Sequence, residues 1–165
     1  MAINELKCGK APGLDKMFAE FIKHFGLNVK HWLLTIFNEI LNTGRLPKIF
    51  NKSKVIAALK PGKNGTEASY FRPISLLSIP YKLLEKLLLN RIHTKINEIV
   101  PIEQAGFRPN RSCCEQVLAL TTYIEKGFQT KKKSFVMFVD LSAAYDKVWK
   151  HGLLYKLIHS IPSMS

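Results

Sequence analysis

The sequence predicts a mixed α/β chain, and three observations point to it. Five stretches repeat apolar residues at helical spacing, two short runs have the apolar, β-branched character of strands, and glycine and proline separate them.

The elements follow in order. Lys10-Ala11-Pro12-Gly13 reads as a loop, with Asp15 placed to cap the helix after it. Met17, Phe18, Phe21, Ile22 and Phe25 form the inner side of that helix, and Gly26 ends it. A second helix starts near Asn28. Its stripe of Val29, Trp32, Leu33, Ile36, Phe37, Ile40 and Leu41 is expected in the core, with Gly44 at its C-terminal stop. Val55 to Leu59 is a strand candidate running into the turn Lys60-Pro61-Gly62-Lys63-Asn64-Gly65. A long helix begins after Ser78 with Pro80 in its first turn, where a missing N–H costs nothing. Leu83, Leu84, Leu87, Leu88, Ile92, Ile96 and Ile99 are its expected buried side, and Pro101 stops it.

Ser112 and Glu115 have capping-box spacing at the next helix, whose inner face is expected to carry Val117, Leu118, Thr121 and Ile124. Ser134 to Val139 is apolar on both faces, as a central strand covered by helices would be. A last helix spans roughly Lys150 to Ser160 and stops at Pro162. With no repeat, low-complexity stretch or linker, the economical reading is one unit.

Composition narrows the class. A chain of 165 residues, 47% hydrophobic and 22% charged, reads as globular rather than disordered. No run approaches the roughly 20 apolar residues of a membrane span, and residues 1–13 lack a signal peptide's apolar stretch. The expected location is nucleus or cytoplasm rather than outside the cell. Cys8, Cys113 and Cys114 suit neither a disulfide framework nor a zinc site. The net charge of +13 points to a polyanionic partner, nucleic acid before an anionic membrane. Between Arg45 and Lys63 stand six basic residues and no acidic one, whereas a solvated face usually mixes signs.

Four segments carry chemistry. Asp140 closes an apolar run, where α/β folds place ligands; taken alone it reads as a turn aspartate. Lys60 and Arg72 flank a turn and a short run; a lysine point charge with an arginine fork can clamp phosphates, but taken alone they read as a solvated turn and a surface arginine. Gln104-Ala-Gly-Phe-Arg108-Pro-Asn-Arg111 leads into a helix N-terminus, a ready anion site. Phe107 could stack on a base, but a core role is the commoner one for phenylalanine. The fourth segment is Lys10-Ala-Pro-Gly-Leu-Asp15.

In that order these segments resemble the reverse transcriptase domain of non-LTR (LINE-type) retrotransposons. Lys10–Asp15 is similar to its K-A-P-G-x-D signature, and Arg72-Pro-Ile-Ser-Leu-Leu to its R-P-I-S-L-L. Gln104–Ser112 is similar to Q-x-G-F-R-x-x-R-S, and Asp140-Leu-Ser-Ala-Ala-Tyr145-Asp146-Lys-Val to motif A. The resemblance covers Lys10 to about Leu157. It implies the mostly helical fingers of a right-hand polymerase, about residues 1–130, with the first palm strand and motif A at about 131–165. It also implies that Asp140 binds catalytic Mg²⁺ with the Leu141 carbonyl as a further ligand, suited to an ion that prefers oxygen. Tyr145 would lie under the incoming sugar, and Asp146 would be structural. Lys60 and Arg72 would hold the nucleotide's phosphates, with Lys63 a weaker candidate. Gln104, Arg108 and Arg111 would contact nucleic acid, and Lys10–Asp15 would be template-side or structural. The implied partners are an RNA template, a DNA primer and dNTP; no protein partner is inferred.

One part of the family pattern is missing. The sequence holds no Asp-Asp pair, so the Y/F-A-D-D hairpin that supplies the other metal-binding carboxylates is absent. The expectation is an incomplete domain, inactive alone, from a prematurely ended element copy or a gene-model fragment. A non-catalytic, basic nucleic-acid-binding module is the alternative. A helical interaction protein with accidental motif matches stands well behind both.

Overall fold

Gly44 turns the chain at φ +66, a conformation open to glycine, and its N–H donates to Ile40 O at 2.8 Å. It thereby ends α2, Leu27–Thr43, whose start is set by Gly26. The structure, a computed structural model, describes residues 2–141 and 144–161. Before α2 lies the short α1, Ala19–His24. After it come β1, Lys54–Leu59, a 3₁₀ turn Ala68–Tyr70, and β2, Phe71–Leu76. Helices α3, Ile79–Ile99, α4, Cys113–Gln129, and α5, Lys150–Ser160, complete the order. Pro162, the expected stop of α5, lies outside the described residues. Among the described residues the fold is mixed, with helices and one small two-stranded sheet, consistent with part of a reverse transcriptase domain. No helix among the described residues is long and apolar enough to cross a membrane.

The chain divides into two compact units, residues 1–91 and 92–165, at a point inside α3 where composition gives no break. The first owns the core: Ala2, Ala19, Ile22, Phe37, Ile40, Phe50, Ile79, Leu83 and Leu84. Burying each larger member stabilises the unit by about 1.5–3 kcal/mol. Phe50 adds a tilted contact with Tyr81, ring centroids 5.5 Å apart. Burial, and then Glu85 beside it, raises the Tyr81 hydroxyl pKa.

Several expectations need correction. Asp15 does not cap α1: its Oδ1 accepts from Met17 N at 3.2 Å, and the helix starts only after Phe18. The α2 stripe is only partly core. Phe37 and Ile40 are buried, whereas Trp32, Val29, Ile36 and Leu41 are exposed. Periodicity fixes which residues share a face, but what covers that face depends on distant chain. In α3, Leu83 and Leu84 are buried, Leu87 and Leu88 half-buried, and Ile99 exposed.

In the second unit Ser112 caps α4 as its spacing predicts, its Oγ accepting from Glu115 N at 3.4 Å. Yet Val117 and Leu118 are exposed, and α4 buries no residue. The expected strand 134–139 is not formed. The segment is unpaired, and Phe135 is 91% exposed. A strand needs a neighbour to take its backbone hydrogen bonds, and none pairs with it among the described residues.

Candidate functional site

β1 and β2 pair antiparallel from Lys54↔Leu76 to Leu59↔Phe71. Arg72 stands opposite Ala58, so the two share one face of the ladder. Lys60, two residues beyond Ala58, extends that face: its N–H donates to Tyr70 O at 2.8 Å, closing the hairpin. Its Nζ donates to Ser69 O at 2.7 Å. An ammonium has three donors, so that bond fixes the side chain and leaves two for a ligand. Gly62, at φ +72, makes the turn after Pro61, and Lys63 N donates back to Lys60 O at 3.2 Å. The Lys63 ammonium lies 5.2 Å from the Tyr70 ring centroid, a cation–π distance. Arg72 is exposed, and its guanidinium has no protein partner among the described residues. The hairpin therefore carries three cations near its turn.

The Lys10–Asp15 segment proves to be a brace for this hairpin's exit. Gly13 is buried so closely against the backbone that a Cβ there would lie 2.7 Å from Leu77 C and Ser78 N. Asp15 Oδ2 accepts from Ser78 Oγ at 2.6 Å, and Ser78 is 1% exposed. Sequence reading left this motif's role open and missed its partner; the Pro-Gly-x-Asp string was the available signal.

In the second unit Arg108 and Arg111 are tied into their own loop. Arg108 Nη1 donates to Pro101 O at 2.9 Å and Arg111 Nη2 to Ile102 O at 3.3 Å. Arg111 Nη1 lies 3.7 Å from Glu115 Oε2. Gln104 closes the turn that Pro101 begins, its N–H donating to Pro101 O at 3.1 Å. Each guanidinium keeps further donors for an outside ligand. Phe107, for which a core place was the commoner expectation, is 95% exposed at φ +60, strained for an aromatic residue. It meets Tyr145 edge to face, centroids 6.4 Å apart, so this loop and motif A touch through their aromatic rings. Spacing alone could not have shown that contact.

Asp140 and Leu141 lie in the exposed, unpaired stretch before Tyr145; Ser142 and Ala143 of the same motif are outside the described residues. Among the described residues no group of three or more His, Cys, Asp or Glu side chains could hold a metal ion. A divalent ion needs several fixed oxygens, so Asp140 with one backbone carbonyl does not make a site.

Residues 59–164 match the family of reverse transcriptases (RNA-dependent DNA polymerases). The chain is 35% identical over 98% of its length to a probable RNA-directed DNA polymerase from transposon BS of Drosophila melanogaster. It is 36% identical over 93% of its length to the RNA-directed DNA polymerase from mobile element jockey of Drosophila funebris. A third relative, the probable RNA-directed DNA polymerase from transposon X-element of Drosophila melanogaster, is 30% identical over 93% of the chain. The chain spans only 17 to 18% of the length of these relatives. With motifs in order, a two-stranded hairpin bearing the expected cations and these likenesses, the chain belongs to the reverse transcriptase family, of the non-LTR, LINE-type kind.

Proposed function

We propose that this chain is the nucleotide- and template-handling portion of an RNA-directed DNA polymerase, built as the fingers of a right-hand polymerase with the start of its palm. The β1–β2 hairpin carries the reading, since Lys60 and Arg72 share one face beside its turn. There an ammonium and a guanidinium would hold the triphosphate of a dNTP. Lys63 would add charge, and Gln104, Arg108 and Arg111 would steady the RNA template and the primer end. Tyr145, backed by Phe107, would lie against the incoming sugar.

Reverse transcriptases use divalent metal ions, and Asp140 with the Leu141 carbonyl would contribute to a Mg²⁺ centre. The described residues do not complete such a centre. On this reading the 165-residue polypeptide by itself would bind its partners without polymerising; a non-catalytic nucleic-acid-binding module is the second reading. Primer extension on a primed RNA with dNTPs and Mg²⁺ tests this. No product is expected, and templated synthesis abolished by Asp140→Asn would overturn it. An electrophoretic shift of the primed RNA, weakened in Arg108→Ala, is expected in the same samples. Its absence would remove the binding part of the reading.

A further inference from the structure

Unit 1 carries an apolar groove of about 380 Å³ that no motif of the sequence accounts for. Val29, Trp32 and Ile36 stand at i, i+3 and i+7 on α2 and form one wall, two helical turns or about 10 Å long. Pro47 and Ile49 form the other, and the buried Phe50 lies at the base. Trp32 is 75% exposed, and Val29, Ile36 and Ile49 are exposed with it. Asp15 is the one charged residue of the lining among the described residues. Both its oxygens are taken, by Met17 N–H and the Ser78 hydroxyl. The rim is charged unevenly. Arg45, Lys48 and Lys52 are exposed on the segment that supplies Pro47 and Ile49, where no acidic residue stands between Arg45 and Lys63. Lys16, between Asp15 and Met17, is exposed as well. On α2 the one acidic residue is Glu39, three residues past Ile36.

From this we infer that the groove docks an amphipathic helix of a partner protein, whose apolar stripe lies on Trp32 and Ile36 while an acidic edge faces Lys48. An exposed apolar patch rimmed by charge is the mark of a protein contact, and tryptophan is a favoured anchor there. A helix fits better than a strand, because neither wall offers a free strand edge. One wall is a helix, and the other is a run of turns in which Phe50 N donates to Pro47 O at 2.9 Å and Lys52 N to Ile49 O at 3.3 Å. An extended peptide would leave its backbone unpaired in the groove, whereas a helix satisfies its own. The basic rim selects an acidic partner. A second copy of this chain is a poor match, since it carries +13 and its exposed apolar run 134–139 follows Lys131–Lys133. RNA is a poor match inside the groove, where the one charged group is a carboxylate that repels phosphate. A flat bilayer cannot enter between the two walls.

A labelled synthetic helix tests the inference by fluorescence anisotropy on the 165-residue chain. The probe is a peptide of about 15 residues, long enough to form a helix, with leucine at i, i+3, i+4 and i+7 and glutamate along one edge. A version with lysine for glutamate and a scrambled version are the controls. Repeating the titration on Phe135→Lys ensures that association through 134–139 is not read as binding. The acidic peptide should bind and the two controls should not. Trp32→Ala should weaken binding about tenfold or more. Lys48→Glu should weaken the acidic peptide and strengthen the lysine one, a reversal that misfolding cannot imitate. An acidic peptide bound no better than the scrambled one, or bound equally by wild type and Trp32→Ala, overturns the inference. Oligouridylate or phosphatidylserine vesicles held through Trp32, or wild-type oligomers that Trp32→Ala disperses, would assign the groove to RNA, lipid or a second copy and overturn it too.

Discussion

Ser78 Oγ donates to Asp15 Oδ2 at 2.6 Å across 63 residues of sequence. The bond joins the start of the chain to the point where β2 hands over to α3, and the serine is almost fully buried. A hydrogen bond to a charged group contributes about 1.5–3 kcal/mol, and leaving its buried partner unsatisfied costs a similar amount. Ser78→Ala and Asp15→Ala should each lower unit 1 stability by about 1–3 kcal/mol. The double variant should cost less than the two together, because one bond is lost once. Urea unfolding of the four proteins checks this, and additive losses would show that the two side chains do not act on each other.

Gly13 makes a companion prediction. A Cβ at this position meets backbone atoms at 2.7 Å, so the chain at Leu77–Ser78 must move to admit it. Gly13→Ala should cost about 1–3 kcal/mol through overpacking. Gly26→Ala faces open space and keeps an ordinary φ of −63, so its cost should be clearly smaller. The comparison is read from thermal melts of the two variants.

Glu20 predicts a pH dependence. Its Oε1 accepts from Gly9 N at 2.6 Å, and that bond holds its carboxyl pKa below the ordinary 4.5. A carboxylate with a lowered folded pKa stabilises above its unfolded value, and that support is lost as pH falls through the folded value. The 7–10 loop should therefore loosen below about pH 4.5, first as faster amide exchange at Gly9. Glu20→Gln should remove this acid response. An unchanged response in that variant would place the cause elsewhere.

The segment 134–139 predicts self-association. Phe135, Met137, Phe138 and Val139 are exposed with no strand beside them among the described residues, only Lys131 to Lys133 guarding the entry. The isolated chain should bind a hydrophobic dye and elute as mixed oligomers, and Phe135→Lys should shift it toward monomer. A monodisperse wild-type monomer with a sharp melt would contradict this account.

What the sequence made legible was local. The hairpin turn at Lys60–Gly65, the Gly44 stop and the Ser112 cap each depend on a few neighbouring residues, and each formed as read. What escaped depended on distance. Neither the partner of Asp15 nor the exposure of Trp32 follows from periodicity. The 134–139 run was read by its apolar faces, but strand formation also requires a neighbour, and pattern alone cannot supply one. At the site, motif order picked out the cations of the hairpin; the pairing of Phe107 with Tyr145 emerged only in three dimensions.

The most direct test of the central claim is a titration of the wild-type chain and Arg72→Ala with dTTP, followed by intrinsic fluorescence, with thymidine as the uncharged control. The account predicts that dTTP binds and thymidine does not. It also predicts that losing the guanidinium weakens dTTP by about 10- to 100-fold, equivalent to about 1.5–3 kcal/mol for hydrogen bonds to a charged group. Equal binding of dTTP and thymidine, or an Arg72→Ala chain that binds dTTP as the wild type does, would contradict it.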